Sequence, residues 1–208
     1  IMIYRLGELF CGPGGLARGA LDVRVIVDNE DHQIEHGWAN DYDQDTCDTY
    51  ERNICSDETC KTVYCDDVRK FVKMLDGYQL KPIDIFAYGF PCNDFSIVGE
   101  SKGFQGEFGP LYTNGLNVLN KFKPAVFVAE NVGGIQSANQ GMAFFQILAD
   151  LEQAGNGYDL SVNLYKAEEY GVPQARHRVI IVGIDSTLGK EFKVPAPTTP
   201  NKEDKVTA

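Results

Sequence analysis

The sequence predicts an α/β fold with a doubly wound, mostly parallel sheet. Runs of apolar, β-branched and aromatic residues alternate along the chain with segments of helical periodicity. These runs lack strict polar–apolar alternation, which is typical of strands that are buried on both faces. The chain has 208 residues, of which 43% are hydrophobic, and this is enough for one domain with its own core.

The elements follow one another in a regular order. The predicted strands span residues 3–10, 83–88, 125–129 and 179–182. The predicted helices span residues 16–20, 45–53, 111–122 and 142–154. Residues 1–193 therefore form the predicted domain. Residues 194–208 start with Val-Pro-Ala-Pro and then become polar, which predicts an exit linker.

Three of the predicted strands end in unusual clusters of residues. The first runs into CGPGG at residues 11–15, the second into GFPC at residues 89–92 and the third into ENV at residues 130–132. In open parallel sheets, ligands bind beyond the carboxyl ends of the strands. We therefore expect the three clusters to form one site.

The first cluster belongs to the stretch ELFCGPGG, residues 8–15. Its glycines allow a sharp turn and a close approach of the backbone to a ligand. The spacing is not G-x-G-x-x-G, and no P-loop Lys-Ser/Thr pair follows, so a phosphate-cradling loop is disfavoured. Taken alone, an ordinary strand–helix turn is the simpler interpretation.

Acidic residues follow the first helix at two places. Asp41 lies where a carboxylate can hydrogen-bond a ribose diol, and Tyr42 offers a flat face for an adenine ring. Further on, Asp67 can accept a hydrogen bond from an adenine amino group. A solvated turn acid is the alternative for Asp41, since the chain has 30 acidic residues.

Cys92 is a candidate nucleophile. It follows Pro91, which restrains the local backbone. A thiolate attacks carbon well when its pKa is lowered or its position is enforced. The alternative is an inert buried cysteine, which is the commoner case.

Glu130 ends an apolar strand, where an unpartnered carboxylate is costly. Such a glutamate can act as a general acid, or it can pair with a structural arginine. Arg176 and Arg178 precede the last strand and, two residues apart in an extended backbone, point the same way. They can orient a planar polar base, hold Glu130, or simply mark a charged strand entry.

The remaining polar residues suggest no metal site. Four cysteines have C-x₄-C steps rather than the short spacing of zinc knuckles: Cys47, Cys55, Cys60 and Cys65. His32 and His36 lie in an acidic stretch and are expected to be solvated.

Composition limits the partners and the compartment. A net charge of −11 disfavours a broad grip on nucleic acid, so basic contacts are either local or on another polypeptide. No apolar run is long enough to span a membrane. Six cysteines in a chain of this size do not suggest a disulfide scaffold, and a reducing cytoplasmic compartment is expected.

Together these motifs resemble the cytosine-C5 DNA methyltransferase family, in the family's order and over nearly the whole chain. GFPCNDFS resembles its Pro-Cys nucleophile loop, ENV its catalytic glutamate motif, and QARHR its Gln-x-Arg-x-Arg motif. The resemblance implies a Rossmann-like fold that binds S-adenosyl-L-methionine (AdoMet). It implies that the catalytic residues are Cys92, Glu130, Arg176 and Arg178. It implies that the cofactor-binding residues are Phe10, Cys11, Gly12, Gly14, Gly15, Leu16, Asp41, Tyr42, Asp67, Val68, Gly89, Pro91 and Leu111.

The implied reaction transfers the AdoMet methyl group to C5 of a cytosine flipped out of duplex DNA, and S-adenosyl-L-homocysteine is the product. Such an enzyme would serve DNA methylation, as part of a restriction–modification system or alone, near the nucleoid if bacterial. A tRNA cytosine-C5 methyltransferase and a noncatalytic AdoMet-binding subunit are the alternatives. One departure from the family is the longer segment at residues 22–37.

The family also has a target-recognition domain and final motifs after the Gln-x-Arg-x-Arg strand. They are not in these 208 residues. The chain is therefore expected to be a subunit of a split enzyme whose second polypeptide carries that domain, a fragment of a longer product, or a segment of a permuted parent.

Overall fold

The computed structural model describes residues 1–55, 61–78, 80–91, 111–136 and 141–206. Its strands are β1 Met2–Leu9, β2 Arg24–Val27, β3 Glu30–Asp41, β4 Val63–Cys65, β5 Ile85–Tyr88, β6 Val126–Val132, β7 Tyr158–Lys166 and β8 His177–Asp185. Its helices are α1 Gly15–Leu21, α2 Gln44–Ile54, α3 Val68–Lys73, α4 Tyr112–Phe122 and α5 Met142–Gln153. All predicted strands and helices are present, within a few residues of their predicted bounds.

The strands form one mixed, mostly parallel sheet in the order β2-β3-β1-β5-β6-β8-β7, with β4 paired to β3. β1, β5 and β6 are neighbours and run parallel. β8 runs antiparallel to both β6 and β7. This arrangement confirms the predicted fold class. It also brings the carboxyl ends of the three predicted central strands to one edge of the sheet.

Helices pack on both faces of the sheet, as a doubly wound fold requires. One hydrophobic cluster contains Phe71 of α3, Leu119 of α4 and Ile147 of α5. A second cluster contains Ala17 of α1 and Tyr50 of α2. Successive side chains of a strand point to opposite faces, so β1 and β5 contribute to both clusters, through Leu9 and Leu6 and through Phe86 and Ala87.

The segment at residues 22–37 folds largely as a hairpin that the sequence analysis did not predict. β2 pairs antiparallel with the first residues of β3, whereas the last residues of β3 pair parallel with β4. The two residues between the strands, Asp28 and Asn29, have φ angles of 50° and 63°. Both angles are left-handed, as a two-residue type I′ turn demands. The hairpin therefore widens the sheet beyond β1.

A substitution at Gly183 tests the packing of β8 on β6. An added Cβ there would lie 2.0 Å from Cε1 of Phe127, a fully buried ring. We expect Gly183→Ala to lower the free energy of unfolding by about 1–3 kcal/mol, because the ring must move within a filled core. Thermal unfolding measures this, with Gly19→Ala as the control. Gly19 lies in α1 with open space beside it, so alanine there should stabilise slightly. Equal melting temperatures for the two variants would contradict the described packing.

In the described part of the chain, none of the helices combines the length and the apolar character needed to cross a membrane.

Candidate active site

The glycine-rich turn after β1 has an unusual backbone. Phe10, Gly12 and Gly14 have φ angles of 53°, 54° and 95°. At Gly14 a side chain would collide with Ile54 of α2, at 2.7 Å. At Gly12 and Gly15, by contrast, an added Cβ would meet no atom within 4 Å. The turn is thus supported from one side and leaves open space beside its backbone on the other.

Asp41 links this turn to the end of β3. Its Oδ2 accepts a hydrogen bond from the backbone N–H of Gly12 at 3.0 Å. Its Oδ1 accepts from the backbone N–H groups of Tyr42 at 2.8 Å and Asp43 at 3.2 Å. A carboxylate has about four lone-pair directions, so Asp41 keeps accepting capacity for a ligand hydroxyl. The side chain of Tyr42 is 79% exposed.

The other sequence-predicted cofactor residues lie at different depths. Asp67 caps α3 through the N–H of Arg69 and also pairs with the Arg69 guanidinium, whose hydrogen bond lowers the pKa of Asp67 to about 2. Val68 and Leu111 are buried in the hydrophobic core. Leu16 is 38% exposed, at the start of α1. Arg69 therefore uses part of the hydrogen-bonding capacity of the Asp67 carboxylate.

Glu130, at the carboxyl end of β6, has two arginine partners. It lies opposite Ile180 in the β6–β8 pair, so Arg178, two residues earlier, is on the same face. The distance from Arg178 Nε to Glu130 Oε1 is 2.7 Å, and Arg176 Nη2 is 3.7 Å from the same oxygen. The structure brings these three side chains together.

The end of β5 lies against this cluster. A Cβ added at Gly89 would be 3.3 Å from Oε2 of Glu130. The buried amide of Asn131 donates to the carbonyl of Phe90 at 3.0 Å. Asn131 was not among the predicted site residues, although the ENV motif contains it. Its hydrogen bond joins the residue before Pro91 to β6, the strand that carries Glu130. Cys92 lies outside the described residues.

A chain of buried polar groups lies behind the glycine-rich turn. Glu8 and Tyr50 are at most 1% exposed, and the Tyr50 hydroxyl donates to Glu8 Oε2 at 2.5 Å. His36 lies 3.2 Å from the same hydroxyl and 2.9 Å from Thr62 Oγ1. The expectation that His36 is solvated was wrong, because Tyr50 and Thr62, distant in sequence, cover it. His32 likewise stacks on the ring of Tyr4.

The cysteines near the turn are not activated. Burial, and then the negative charges of Glu8 and Asp41, raise the pKa of the Cys11 thiol. Cys47 donates to the carbonyl of Asp41, and burial raises its pKa to about 12. Among the described residues there is no group of three or more potential metal ligands; Cys60 lies outside them.

The order of the strands and the helices on both faces of the sheet define the Rossmann-like fold found in methyltransferases of known structure. A solved structure with this fold is that of the Entamoeba histolytica methyltransferase EhMeth, which superposes with a TM-score of 0.66 at 16% identity. The match covers 95% of this chain and 58% of that one.

The sequence model of the C-5 cytosine-specific DNA methylases matches residues 4–208. The chain is 54% identical to the Type II methyltransferase M.BbvI of Brevibacillus brevis over 97% of its own length and 54% of that protein's. It is 38% identical to M.NgoFVII of Neisseria gonorrhoeae, over 92% of this chain and 46% of that one. The chain belongs to the C-5 cytosine-specific DNA methylase family. It spans about half the length of these relatives.

Proposed function

We propose that the chain is the catalytic and AdoMet-binding part of a DNA (cytosine-5-)-methyltransferase. The observation that carries this proposal is the arrangement of Glu130 with Arg178 and Arg176 beside Gly89. The backbone at Gly89 leads within three residues to Cys92. A carboxylate, two guanidinium groups and a candidate thiol nucleophile thus belong to neighbouring strand ends. The names of the bacterial Type II relatives support a role in restriction–modification.

The residues after β1 and β3 fit AdoMet. The open space at Gly12 and Gly15 allows a ligand to approach the backbone. Asp41 retains capacity to accept from a ribose hydroxyl. The exposed ring of Tyr42 offers a flat face to adenine. When bound, AdoMet supplies an electrophilic methyl group.

The remaining cofactor residues of this proposal lie around the same sheet edge or in the core beneath it. They are Phe10, Cys11, Gly14, Leu16, Asp67, Val68, Gly89, Pro91 and Leu111.

In the reaction, the Cys92 thiolate adds to C6 of the cytosine, which makes C5 nucleophilic. Glu130, in its protonated form, gives its proton to N3 and so neutralises the negative charge that develops on the ring. Arg178 and Arg176 orient Glu130 and contact the base. After methylation, loss of the C5 proton expels the thiolate and restores the aromatic ring. The cytosine has to leave the duplex to reach these groups.

Duplex DNA is the proposed partner, which would put the protein at the nucleoid of a bacterial cytoplasm. A net charge of −11 means that this half of the enzyme does not supply a broad basic surface. We assign target recognition to the remaining part of the protein, in the same or in a second polypeptide. Residues 194–208 are the proposed linker from the domain at residues 1–193.

The first part of this segment is docked on the domain. Thr199 donates through its N–H and Oγ1 to the carbonyls of Glu169 and Glu168, at 2.9 Å each. These contacts hold the segment against the loop that precedes Arg176.

Methyl transfer from isotope-labelled AdoMet tests the proposal. The full protein, with any polypeptide encoded beside it, is incubated with duplex DNA or with tRNA, and the labelled nucleoside is identified after digestion. We expect labelled 5-methyldeoxycytidine from DNA. Label in tRNA alone would refute the DNA assignment, and AdoMet binding without transfer to either substrate would favour a noncatalytic subunit.

A further inference from the structure

Glu8, Tyr50 and His36 connect three elements through one buried and one partly buried hydrogen bond. Glu8 is on β1, Tyr50 on α2 and His36 on β3. The single hydroxyl proton of Tyr50 goes to Glu8. His36 Nδ1 therefore donates to the Tyr50 oxygen, and in a neutral ring Nε2 then accepts from Thr62. This is the neutral form of His36, in agreement with burial lowering its pKa to about 4.

Glu8 also interacts with the helix that follows the glycine-rich turn. The backbone N–H of Ala17, in α1, faces the Glu8 carboxylate and lowers its pKa. Glu8 precedes the turn and Ala17 follows it. The carboxylate of one residue thus interacts with the chain on both sides of the turn.

Helix α2 supports the same turn from beneath. A Cβ at Gly14 would lie 3.2 Å from Cδ2 of Tyr50, so the ring lies directly under that glycine. Asn53, one turn further along, donates to the carbonyl of Pro13 at 3.2 Å. The ring of Tyr50 therefore supports the turn at Gly14, and its hydroxyl holds Glu8 just before the turn.

Supporting the turn with a buried carboxylate costs free energy. Burial raises the pKa of Glu8 to about 7, with smaller opposing contributions from the Tyr50 and Ala17 hydrogen bonds. Removing a carboxylate from water costs free energy that its hydrogen bonds only partly return. An apolar side chain would avoid that cost but could not hold the Tyr50 hydroxyl and the Ala17 N–H.

We infer that Glu8, Tyr50 and His36 form a positioning unit that holds the glycine-rich turn in the shape AdoMet binding requires. This inference rests on the proposed AdoMet site. It gives a role to Glu8, the first residue of the ELFCGPGG stretch, and adds Tyr50 and His36, which lie outside the motifs that predicted the site. The unit acts through the turn. Its loss therefore loosens residues 10–15 and weakens AdoMet binding without removing a group assigned to the cofactor.

Tyr50→Phe is the first test, because it removes the hydroxyl and keeps the ring under Gly14. Loss of a hydrogen bond to a charged group should weaken AdoMet binding about tenfold. Amide hydrogen exchange of residues 10–17, followed by mass spectrometry without ligand, should become faster. The matched control is Tyr158→Phe in β7, outside the site. It removes a buried hydroxyl that donates to the carbonyl of Pro124.

The pH dependence of AdoMet affinity separates positioning from general loss of stability. Among the described residues, the titratable groups that act on Glu8 and its partner are Tyr50, Cys11 and, through Tyr50, His36. Its strand partners are Ala39 and Ala87. An ionised Glu8 accepts stronger hydrogen bonds.

Affinity should therefore rise as the pH increases through about 7, the pKa of Glu8. In Tyr50→Phe this inflection should move to higher pH, because a hydrogen bond that lowers the pKa is lost. In Glu8→Gln the inflection should vanish, which separates it from titration of AdoMet itself.

Unchanged affinity and unchanged exchange in Tyr50→Phe would overturn the inference, as would an equal effect of Tyr158→Phe. If the wild-type protein bound no AdoMet while Tyr50→Phe still loosened residues 10–15, the proposed cofactor site would be refuted. The predicted effect of the unit on AdoMet affinity would then be refuted as well. Only the inference that the unit positions the turn would remain supported.

Discussion

The Glu130→Gln protein is expected to lose methyl transfer by about 10²–10⁴-fold in kcat, the usual contribution of a general acid or base. Glutamine keeps the shape of the side chain and can still accept from Arg178. It carries no charge and cannot deliver a proton to cytosine N3. AdoMet affinity should remain unchanged, because the proposed cofactor contacts are at other strand ends. Single-turnover methylation of duplex DNA and calorimetric AdoMet binding measure the two effects.

Glu152→Gln is the matched control, since it removes the same charge from an exposed position of α5. It should leave kcat within a factor of about two. Full activity in Glu130→Gln would show that the ion pair with Arg178 and Arg176 is structural.

The Asp41→Asn protein is expected to bind AdoMet roughly 10²-fold more weakly. Two contributions add. The ribose loses a charged acceptor, and hydrogen bonds to charged groups are worth about 1.5–3 kcal/mol each. The amide NH₂ must also face a backbone N–H, because both carboxylate oxygens accept from such groups at Gly12, Tyr42 and Asp43. The turn after β1 therefore loses an anchor as well.

Asp45→Asn, at an exposed site in the first turn of α2, provides the control for charge. Its AdoMet dissociation constant should match that of the wild-type protein. An Asp41→Asn protein with wild-type affinity would remove Asp41 from the cofactor site. Hydrogen exchange at residues 10–15 then decides whether the carboxylate matters only for the turn.

The part of the site that local sequence determines could be predicted. Strands without alternation, each ending in Gly, Pro or an isolated acid, indicated a parallel sheet whose strand ends share one edge. β1, β5 and β6 are in fact neighbours. The pairing of Glu130 with Arg178 follows from strand alternation once β8 is known to run beside β6.

Other features were missed although a signal was present. In β7 the apolar residues alternate with polar ones from Tyr158 to Leu164, which is the pattern of a half-buried strand. The Asp28-Asn29 turn residues favour a hairpin. β2 is exposed along its whole length although its sequence, RVIV, is apolar, and the first residues of β3 are mostly polar.

The burial of His36 could not be read from the sequence. Its neighbours are acidic, and its partners Tyr50 and Thr62 come from 14 and 26 residues away. Contacts of this kind depend on how α2 and the segment before β4 pack on β3. The same holds for Glu8, whose hydrogen-bond partner is 42 residues distant.

Duplex DNA in which 5-fluorocytosine replaces every cytosine tests the assignment of Cys92 most directly. After the thiolate adds to C6 and C5 takes the methyl group, fluorine cannot leave as a proton does, so the thiolate is not expelled. Incubation with AdoMet should give a protein–DNA adduct stable to denaturation, with its mass increase on the peptide that contains Cys92. Cys92→Ser should give none. An adduct that survives this substitution, or active methylation without any adduct, would contradict the proposed mechanism.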